Sequence, residues 1–165
     1  MTLRRGGRPW PAPAALAVLV ALAGCAVAAP VAGSCLTVSA VDGTLLAAHT
    51  LAADEGRFTL RYVHSVTRTP VEERYRVEGA ALVQTELRFA EHGPGLPTAA
   101  ADGEAWSREG NQFVVRMTRP FDGIRARVDP AQSPRLATAT SDVDLAQWGA
   151  RPVVVAARPG ACPAP

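Results

Sequence analysis

The sequence predicts an all-β fold: a small antiparallel β-sandwich or partly open barrel with one short helix near the C-terminus. The chain has 165 residues, of which 48% are hydrophobic and 19% charged, a balance typical of one globular domain. Its 14 Gly and 14 Pro favour many turns over long helices. Apolar and polar residues alternate with a period of two along much of the chain, which predicts half-buried strands.

The first predicted element is a hairpin. Its strands run from Leu36 to Ala40 and from Thr44 to Leu51. Asp42 and Gly43 join the two strands, and this pair is preferred in tight turns whose central positions both need positive φ.

A meander of three strands is predicted next, at residues 58–66, 71–77 and 82–89. The first two strands alternate between apolar and polar positions, and Gly79 provides the turn into the third. We expect three apolar residues to share one face of the third strand: Val83, Leu87 and Phe89.

A long loop, four short strands and a helix are predicted to complete the domain. Residues 90–102 are too rich in Gly and Pro to form a strand ladder, and long loops on rigid sheets often carry function. Ser141 and Asp144 resemble a capping box, which predicts a short helix that ends at Gly149. The remaining strands are predicted at Ala105 to Arg108, Gln112 to Met117, Ile124 to Val128 and Pro152 to Ala157.

The N-terminal segment has the layout of a bacterial export signal. A positive start at Arg4, Arg5 and Arg8 precedes an apolar stretch at 14–23 and then small residues. Residues 22–25 match the lipoprotein box, in which a lipid is attached to the Cys25 thiol before cleavage ahead of that residue. The alternatives are plain secretion, with cleavage at a nearby small residue, and a retained membrane anchor.

Four segments follow from this layout. They are a signal peptide with a lipoprotein box over 1–25, a flexible tether over 26–34, a single β domain over 35–162 and a frayed tail over 163–165. Such a domain would be extracytoplasmic, in the periplasm or on the outer face of a bacterial membrane, and attached by its N-terminal lipid. Without the three leader arginines, 14 basic residues face 15 acidic ones, which excludes a nucleic-acid binder with a broad basic face.

Export also determines how the two remaining cysteines are interpreted. Outside the cytoplasm thiol pairs oxidise, and Cys35 and Cys162 bracket the predicted domain. A disulfide there would tie the first strand to the last and stabilise the fold by roughly 4–5 kcal/mol in the loop-closure model. The alternative is two free thiols. The sequence has no CxxC and no Cys/His cluster of zinc spacing, so we expect no metal and no cofactor.

The most informative stretch is YVHSVTRTPVEERY, at positions 62–75. A four-residue hairpin loop would place Val66 across from Val71, and His64 across from Glu73 on the same face. We expect these two side chains to form a hydrogen-bonded pair, because an unpaired charge is costly on an apolar face. The pair is interpreted as structural, as a ligand contact or as a base with its orienting group.

A catalytic triad is disfavoured in this stretch. Ser65 directly follows His64, so on a strand its side chain points to the opposite face and cannot be the nucleophile for that histidine. His49 and His92 have no spacing that requires a metal site.

One set of residues resembles a known family. It comprises Phe58, Leu60, Tyr62, His64, Ser65, Val66, Thr69, Pro70, Val71, Glu72, Glu73, Glu86, Arg88, Gly93, Gly95, Leu96 and Pro97. With these residues the sequence resembles the small exported bacterial proteins of domain-of-unknown-function family 1850, often encoded beside tripartite (TRAP) transporters of the TAXI type. Pro94 replaces the usual alanine between the two glycines. The resemblance implies a place beside a solute-uptake system and no particular reaction.

Three functions are consistent with these observations. The first is an exported, noncatalytic accessory or binding protein of a TRAP-type uptake system, which recognises transporter subunits or a small organic ligand. Its predicted recognition surface comprises His64, Ser65, Thr69, Pro70, Glu72, Glu73, Gly93, Gly95, Leu96 and Pro97. The alternatives are an exported hydrolase or isomerase that uses His64 and Glu73, and a structural envelope lipoprotein.

Overall fold

Two antiparallel sheets packed face to face make up the part of the chain that the computed structural model describes, residues 33–52 and 56–162. This arrangement confirms the predicted all-β class and is a sandwich rather than a closed barrel. The predicted signal peptide with Cys25, most of the tether and the tail at 163–165 lie outside the described residues. In the ranges 33–52 and 56–162, no helix is long and apolar enough to cross a membrane.

The smaller sheet has four strands in the order β2-β1-β11-β8. Its strands are β1 (Ser34–Ala40), β2 (Leu45–Leu51), β8 (Ile124–Arg127) and β11 (Pro152–Pro159). The predicted hairpin of β1 and β2 is confirmed, although its turn differs in detail. Only Gly43 has positive φ, at 90°, while the Asp42 side chain accepts a hydrogen bond from the Thr44 N–H at 2.9 Å.

The larger sheet has seven strands in the order β10-β9-β3-β4-β5-β7-β6. Its strands are β3 (Arg57–Val63), β4 (Pro70–Glu78), β5 (Ala81–Phe89), β6 (Ala105–Glu109), β7 (Gln112–Phe121), β9 (Arg135–Ala137) and β10 (Asp142–Asp144). The predicted meander is confirmed as β3-β4-β5. A bulge at Thr85 shifts the register of β5 against both neighbours, so Gln84 and not Val83 shares the face of Leu87 and Phe89.

The predicted helix near the C-terminus is a single 3₁₀ turn at Leu145–Trp148 that ends at Gly149. Its N-cap is Asp144, whose side chain accepts a hydrogen bond from the Ala146 N–H at 2.9 Å. The predicted cap at Ser141 is therefore wrong, because the chain from Asp142 to Asp144 is still extended as β10. A second 3₁₀ turn lies at Pro130–Gln132.

Two buried clusters form the core. The inter-sheet core joins both sheets and contains Leu36, Val38, Leu51, Phe58, Leu60, Tyr75, Leu82, Val128, Leu136, Leu145, Val153 and Val155. The loop-side core lies farther along the inner face of the larger sheet and contains Val71, Leu87, Phe89, Leu96, Val115 and Met117. Leu96 belongs to the segment between β5 and β6, so this long loop covers a part of the larger sheet.

A disulfide joins Cys35 to Cys162, as predicted, with their Cα atoms 4.8 Å apart. Cys35 lies fully buried in β1, and Cys162 follows shortly after the end of β11. The Cys162 N–H also donates a hydrogen bond to Thr50 Oγ1 at 3.1 Å. The bridge therefore fastens the chain after the last strand onto the β1–β2 hairpin.

Candidate functional site

The hairpin of β3 and β4 has a wider loop than the sequence predicts. The His64 N–H donates to the Thr69 carbonyl at 2.8 Å, which places these two residues opposite each other. Leu60 lies across from Glu73. The predicted His64–Glu73 pair is therefore wrong. The strand β3 ends at Val63, earlier than predicted. Val66 therefore lies in the hairpin loop, with 65% of its surface exposed.

The His64 ring is buried, with 6% exposure, and holds the hairpin loop together. Its Nδ1 atom accepts hydrogen bonds from the backbone N–H groups of Val66, at 3.3 Å, and Thr67, at 3.1 Å. Nδ1 is therefore unprotonated and Nε2 carries the hydrogen, which it donates to the Pro94 carbonyl at 3.0 Å. Arg68, which completes this turn, adopts a left-handed conformation with φ of 59°. Both ring nitrogens are thus occupied by structural hydrogen bonds.

Gly93 lets the loop between β5 and β6 approach this ring. A Cβ atom at position 93 would lie 2.7 Å from His64 Cε1 and 3.0 Å from Thr67 Cγ2. Such distances are too short for any side chain, so only glycine permits the contact. His64 and Gly93 therefore attach residues 93–97, here called the 93–97 loop, to the β3–β4 hairpin.

Glu73 lies on the inner face of β4, between the buried residues Val71 and Tyr75. The Tyr62 hydroxyl donates a hydrogen bond to Glu73 Oε1 at 3.0 Å, and the Tyr75 hydroxyl donates to Oε2 at 2.5 Å. These two hydrogen bonds replace the contacts with water that the carboxylate loses on the inner face of the sheet. We call Glu73, Tyr62 and Tyr75 the carboxylate–tyrosine cluster.

Both tyrosines of the cluster are firmly protonated. Burial is the largest cause that raises the pKa of each hydroxyl, and the charge of Glu73 and its hydrogen bond raise that pKa further. Tyr62 and Tyr75 therefore act as hydrogen-bond donors to Glu73 and not as bases.

The carboxylate–tyrosine cluster lies between two cavities. The loop-side cleft, of about 550 Å³, is lined by Tyr62, Glu73, Tyr75, Gln84, Leu87, Gly95, Leu96, Pro97, Glu104, Met117, Arg119 and Phe121. The inter-sheet cleft, of about 250 Å³, is lined in part by the apolar residues Leu60, Ile124, Val128 and Leu145 and in part by the arginines Arg61, Arg125, Arg127 and Arg135. Tyr62 and Glu73 line both cavities.

Three further polar residues surround the loop-side cleft. On neighbouring strands, Tyr75 lies across from Gln84, and Gln84 lies across from Arg119. Arg119 forms an ion pair of 2.5 Å with the buried side chain of Glu104. Glu104 also accepts a hydrogen bond from the Ala101 N–H, which fixes the end of the loop that precedes β6.

Only part of the predicted recognition surface comes together. Glu73 lines the loop-side cleft with Gly95, Leu96 and Pro97, which form its wall. His64 and Gly93 support that wall from behind. The other predicted residues lie elsewhere: Ser65 is exposed in the hairpin loop, Thr69 bonds Thr67, Pro70 is exposed at the start of β4, and Glu72 forms ion pairs with Arg61 and Arg74.

Five polar residues of the cleft were not predicted as site residues: Tyr62, Tyr75, Gln84, Glu104 and Arg119. Gln84 gave no signal, because strict alternation along residues 82–89 places Val83 on the inner face with Leu87 and Phe89, and Gln84 on the outer face. Glu104 and Arg119 had none, since their pairing depends on how the loop before β6 folds back. In the described ranges, no group of three His, Cys, Asp or Glu residues is arranged to hold a metal ion.

The comparison with known proteins places the chain in a family. No curated protein and no solved structure matches it. One family model does match, over residues 58–145, and this range includes the carboxylate–tyrosine cluster, the 93–97 loop and the Glu104–Arg119 pair. The chain therefore belongs to the family described as Domain of unknown function (DUF1850).

Proposed function

We propose that this chain is a noncatalytic binding protein that holds a small organic ligand in the loop-side cleft. The observation that carries the proposal is the carboxylate–tyrosine cluster, a carboxylate oriented by two buried hydroxyls on a rigid sheet. None of the ion pairs between described residues involves Glu73, so its charge remains available to a ligand. A cleft of about 550 Å³ that combines apolar side chains with fixed polar groups can hold a small organic ligand.

The geometry favours binding over hydrolysis or isomerisation. A hydrolase built on His64 and Glu73 needs the two side chains in contact, and each has other partners. Both nitrogens of the His64 ring are held in structural hydrogen bonds, and burial raises the pKa of Tyr62 and Tyr75, so both hydroxyls stay protonated and neither can act as a base. A rigid set of donors and acceptors in which no histidine faces the carboxylate suits recognition.

The proposed setting is outside the cytoplasm. The leader resembles a lipoprotein signal, and the Cys35–Cys162 disulfide is typical of proteins in oxidising compartments. A lipid on Cys25 would attach the domain to a membrane surface through the tether. From the family resemblance, we propose an accessory role in a TRAP-type uptake system, in which the partner is a transporter subunit or the transported solute itself.

A solute panel tests the binding proposal. The mature protein is titrated with organic amines, carboxylates, sugars and neutral alcohols, and binding is measured by amide chemical shifts and calorimetry. We expect at least one class to bind saturably, and Glu73→Gln to change its affinity at least about tenfold.

The matched control is Glu72→Gln. This position is the next residue on the same strand, but its side chain lies on the outer face, in ion pairs with Arg61 and Arg74. The control should bind like the wild type. Equal affinities for Glu73→Gln and Glu72→Gln, or no binding of any class, would refute a ligand site at Glu73.

A further inference from the structure

We infer that the ligand of the loop-side cleft is an organic ammonium ion: a protonated amine attached to an apolar group. This inference rests on the proposed binding function and names the chemical class of its ligand. It follows from the charge of the cleft, its free hydrogen-bond acceptors and its apolar walls.

The charges of the cleft leave one negative charge without a partner. Arg119 and Glu104 form an ion pair, so their charges cancel each other. The two groups that bond Glu73 are neutral hydroxyls, and burial keeps them protonated. Among the described residues that line the loop-side cleft, Glu73 is thus the one charged group that lacks an opposite charge. A cationic group placed against Glu73 supplies that charge, whereas an anionic group at the same position would be repelled by the carboxylate.

The free hydrogen-bonding positions at the cluster are acceptors. A carboxylate oxygen accepts about two hydrogen bonds, and each oxygen of Glu73 receives one from a tyrosine. The Gln84 side chain, 6% exposed, also lines the cleft, and none of the hydrogen bonds between described residues involves its amide. Its carbonyl oxygen is a further acceptor, and its NH₂ group is a donor. An ammonium group, with three N–H donors and no acceptor, matches the free acceptor positions of Glu73 and Gln84.

The apolar walls favour an organic cation over a metal ion. Leu87, Leu96, Met117 and Phe121 line the cleft beside Glu73. A hard cation such as Ca²⁺ needs six to eight oxygen ligands, and one carboxylate with one amide falls far short of that number. An apolar group attached to the ammonium would instead pack against these four side chains.

Three probes with the same ring test the inference: benzylamine, benzyl alcohol and benzoate. At neutral pH they carry one positive charge, no charge and one negative charge. Each is titrated into wild-type protein, Glu73→Gln and the outer-face control Glu72→Gln, and affinities are measured from amide chemical shifts. We expect benzylamine to bind the wild type and the control most tightly. In Glu73→Gln we expect its affinity to fall at least about tenfold, to that of benzyl alcohol.

The other outcomes separate the two proposals. If benzoate or benzyl alcohol binds at least as tightly as benzylamine, the cleft is a ligand site but the ammonium inference is overturned. The same holds if none of the three probes binds while another solute class binds at Glu73. If neither the probes nor the solute panel bind, both the inference and the proposed function fail.

Discussion

A carboxylate on the inner face of a sheet destabilises the fold unless donors surround it, and Glu73 meets this condition through two tyrosines. The alternation of the sequence was sufficient to predict which side of β4 carries Glu73. It was not sufficient to predict the neighbours of Glu73, because the loop is longer than assumed and the register shifts. Since the shift is an even number of residues, the same side chains face inward, but Leu60 lies where His64 was expected.

Tyr75→Phe is the first prediction and tests the cluster itself. The substitution keeps the stacking of the ring on Phe58, whose centroid is 4.9 Å away, and removes only the hydroxyl that donates to Glu73. Because a half-buried carboxylate then loses one of its two donors, we expect the free energy of unfolding at pH 7 to fall by about 1–3 kcal/mol. Urea denaturation followed by circular dichroism measures this change.

A double-mutant cycle identifies the source of the loss. In a Glu73→Leu background no carboxylate remains to be desolvated, so Tyr75→Phe should cost clearly less there than in the wild type. An equal cost in both backgrounds would mean that the hydroxyl stabilises the protein through something other than Glu73.

Among the elements, the β3–β4 hairpin loop and the 93–97 loop hold each other in place through His64. The Gly- and Pro-rich composition of residues 90–102 correctly predicts a loop, and the spacing of His64 and Gly93 does not reveal that they touch. That contact depends on the hairpin loop, whose N–H groups are bound by the His64 ring. The bulge at Thr85 could not be predicted from the sequence either. Strict alternation assigns Val83 to the inner face of β5 and therefore places Gln84 on the outer face.

Gly93→Ala is the second prediction and tests the loop attachment. The new methyl group would lie 2.7 Å from His64 Cε1, and three hydrogen bonds prevent the ring from moving aside. We expect a loss of about 1–3 kcal/mol of stability, as for other overpacked sites, and faster hydrogen exchange in the 93–97 loop. Because this loop forms one wall of the cleft, ligand affinity should also fall.

Two variants control for this effect. Gly56→Ala places its Cβ at an ordinary distance of 3.5 Å from the Val77 carbonyl oxygen, so it should be neutral or slightly stabilising. In a His64→Ala background only the 3.0 Å contact with Thr67 Cγ2 remains, so Gly93→Ala should cost clearly less there than in the wild type. If Gly93→Ala is equally harmful with and without the imidazole, the contact with His64 is not what requires glycine.

Across the whole molecule, the unequal size of the two sheets creates the site. The four-stranded sheet cannot cover the whole seven-stranded sheet, so the 90–104 segment covers part of the larger one. The carboxylate–tyrosine cluster lies where the inter-sheet core meets the loop-side core. The sequence predicts the sandwich class, but not this order. The strands β9 and β10 extend the larger sheet beyond β3. Each has three residues, which is too few for the alternation of apolar and polar residues to be recognised in the sequence.

The Cys35–Cys162 bridge acts on the same scale, and its removal by Cys162→Ser is the third prediction. The strand β1 remains paired with both β2 and β11, so we expect the folded circular dichroism spectrum to be unchanged. The bridge spans 127 residues and restricts the unfolded chain, so we expect the free energy of unfolding to fall by about 2–5 kcal/mol. The denaturant slope should rise, because the unfolded chain exposes more surface without the bridge.

The control for this variant is Thr50→Val, which removes only the hydrogen bond from the Cys162 N–H. A single such bond contributes about 0.5–1.5 kcal/mol, well below the effect expected of the bridge. The Cys35 side chain stays in place in both variants and is fully buried, so no cavity is created at β1. If Cys162→Ser costs no more than Thr50→Val and leaves the denaturant slope unchanged, the covalent link does not stabilise this sandwich, and the β1–β11 ladder alone holds its ends together.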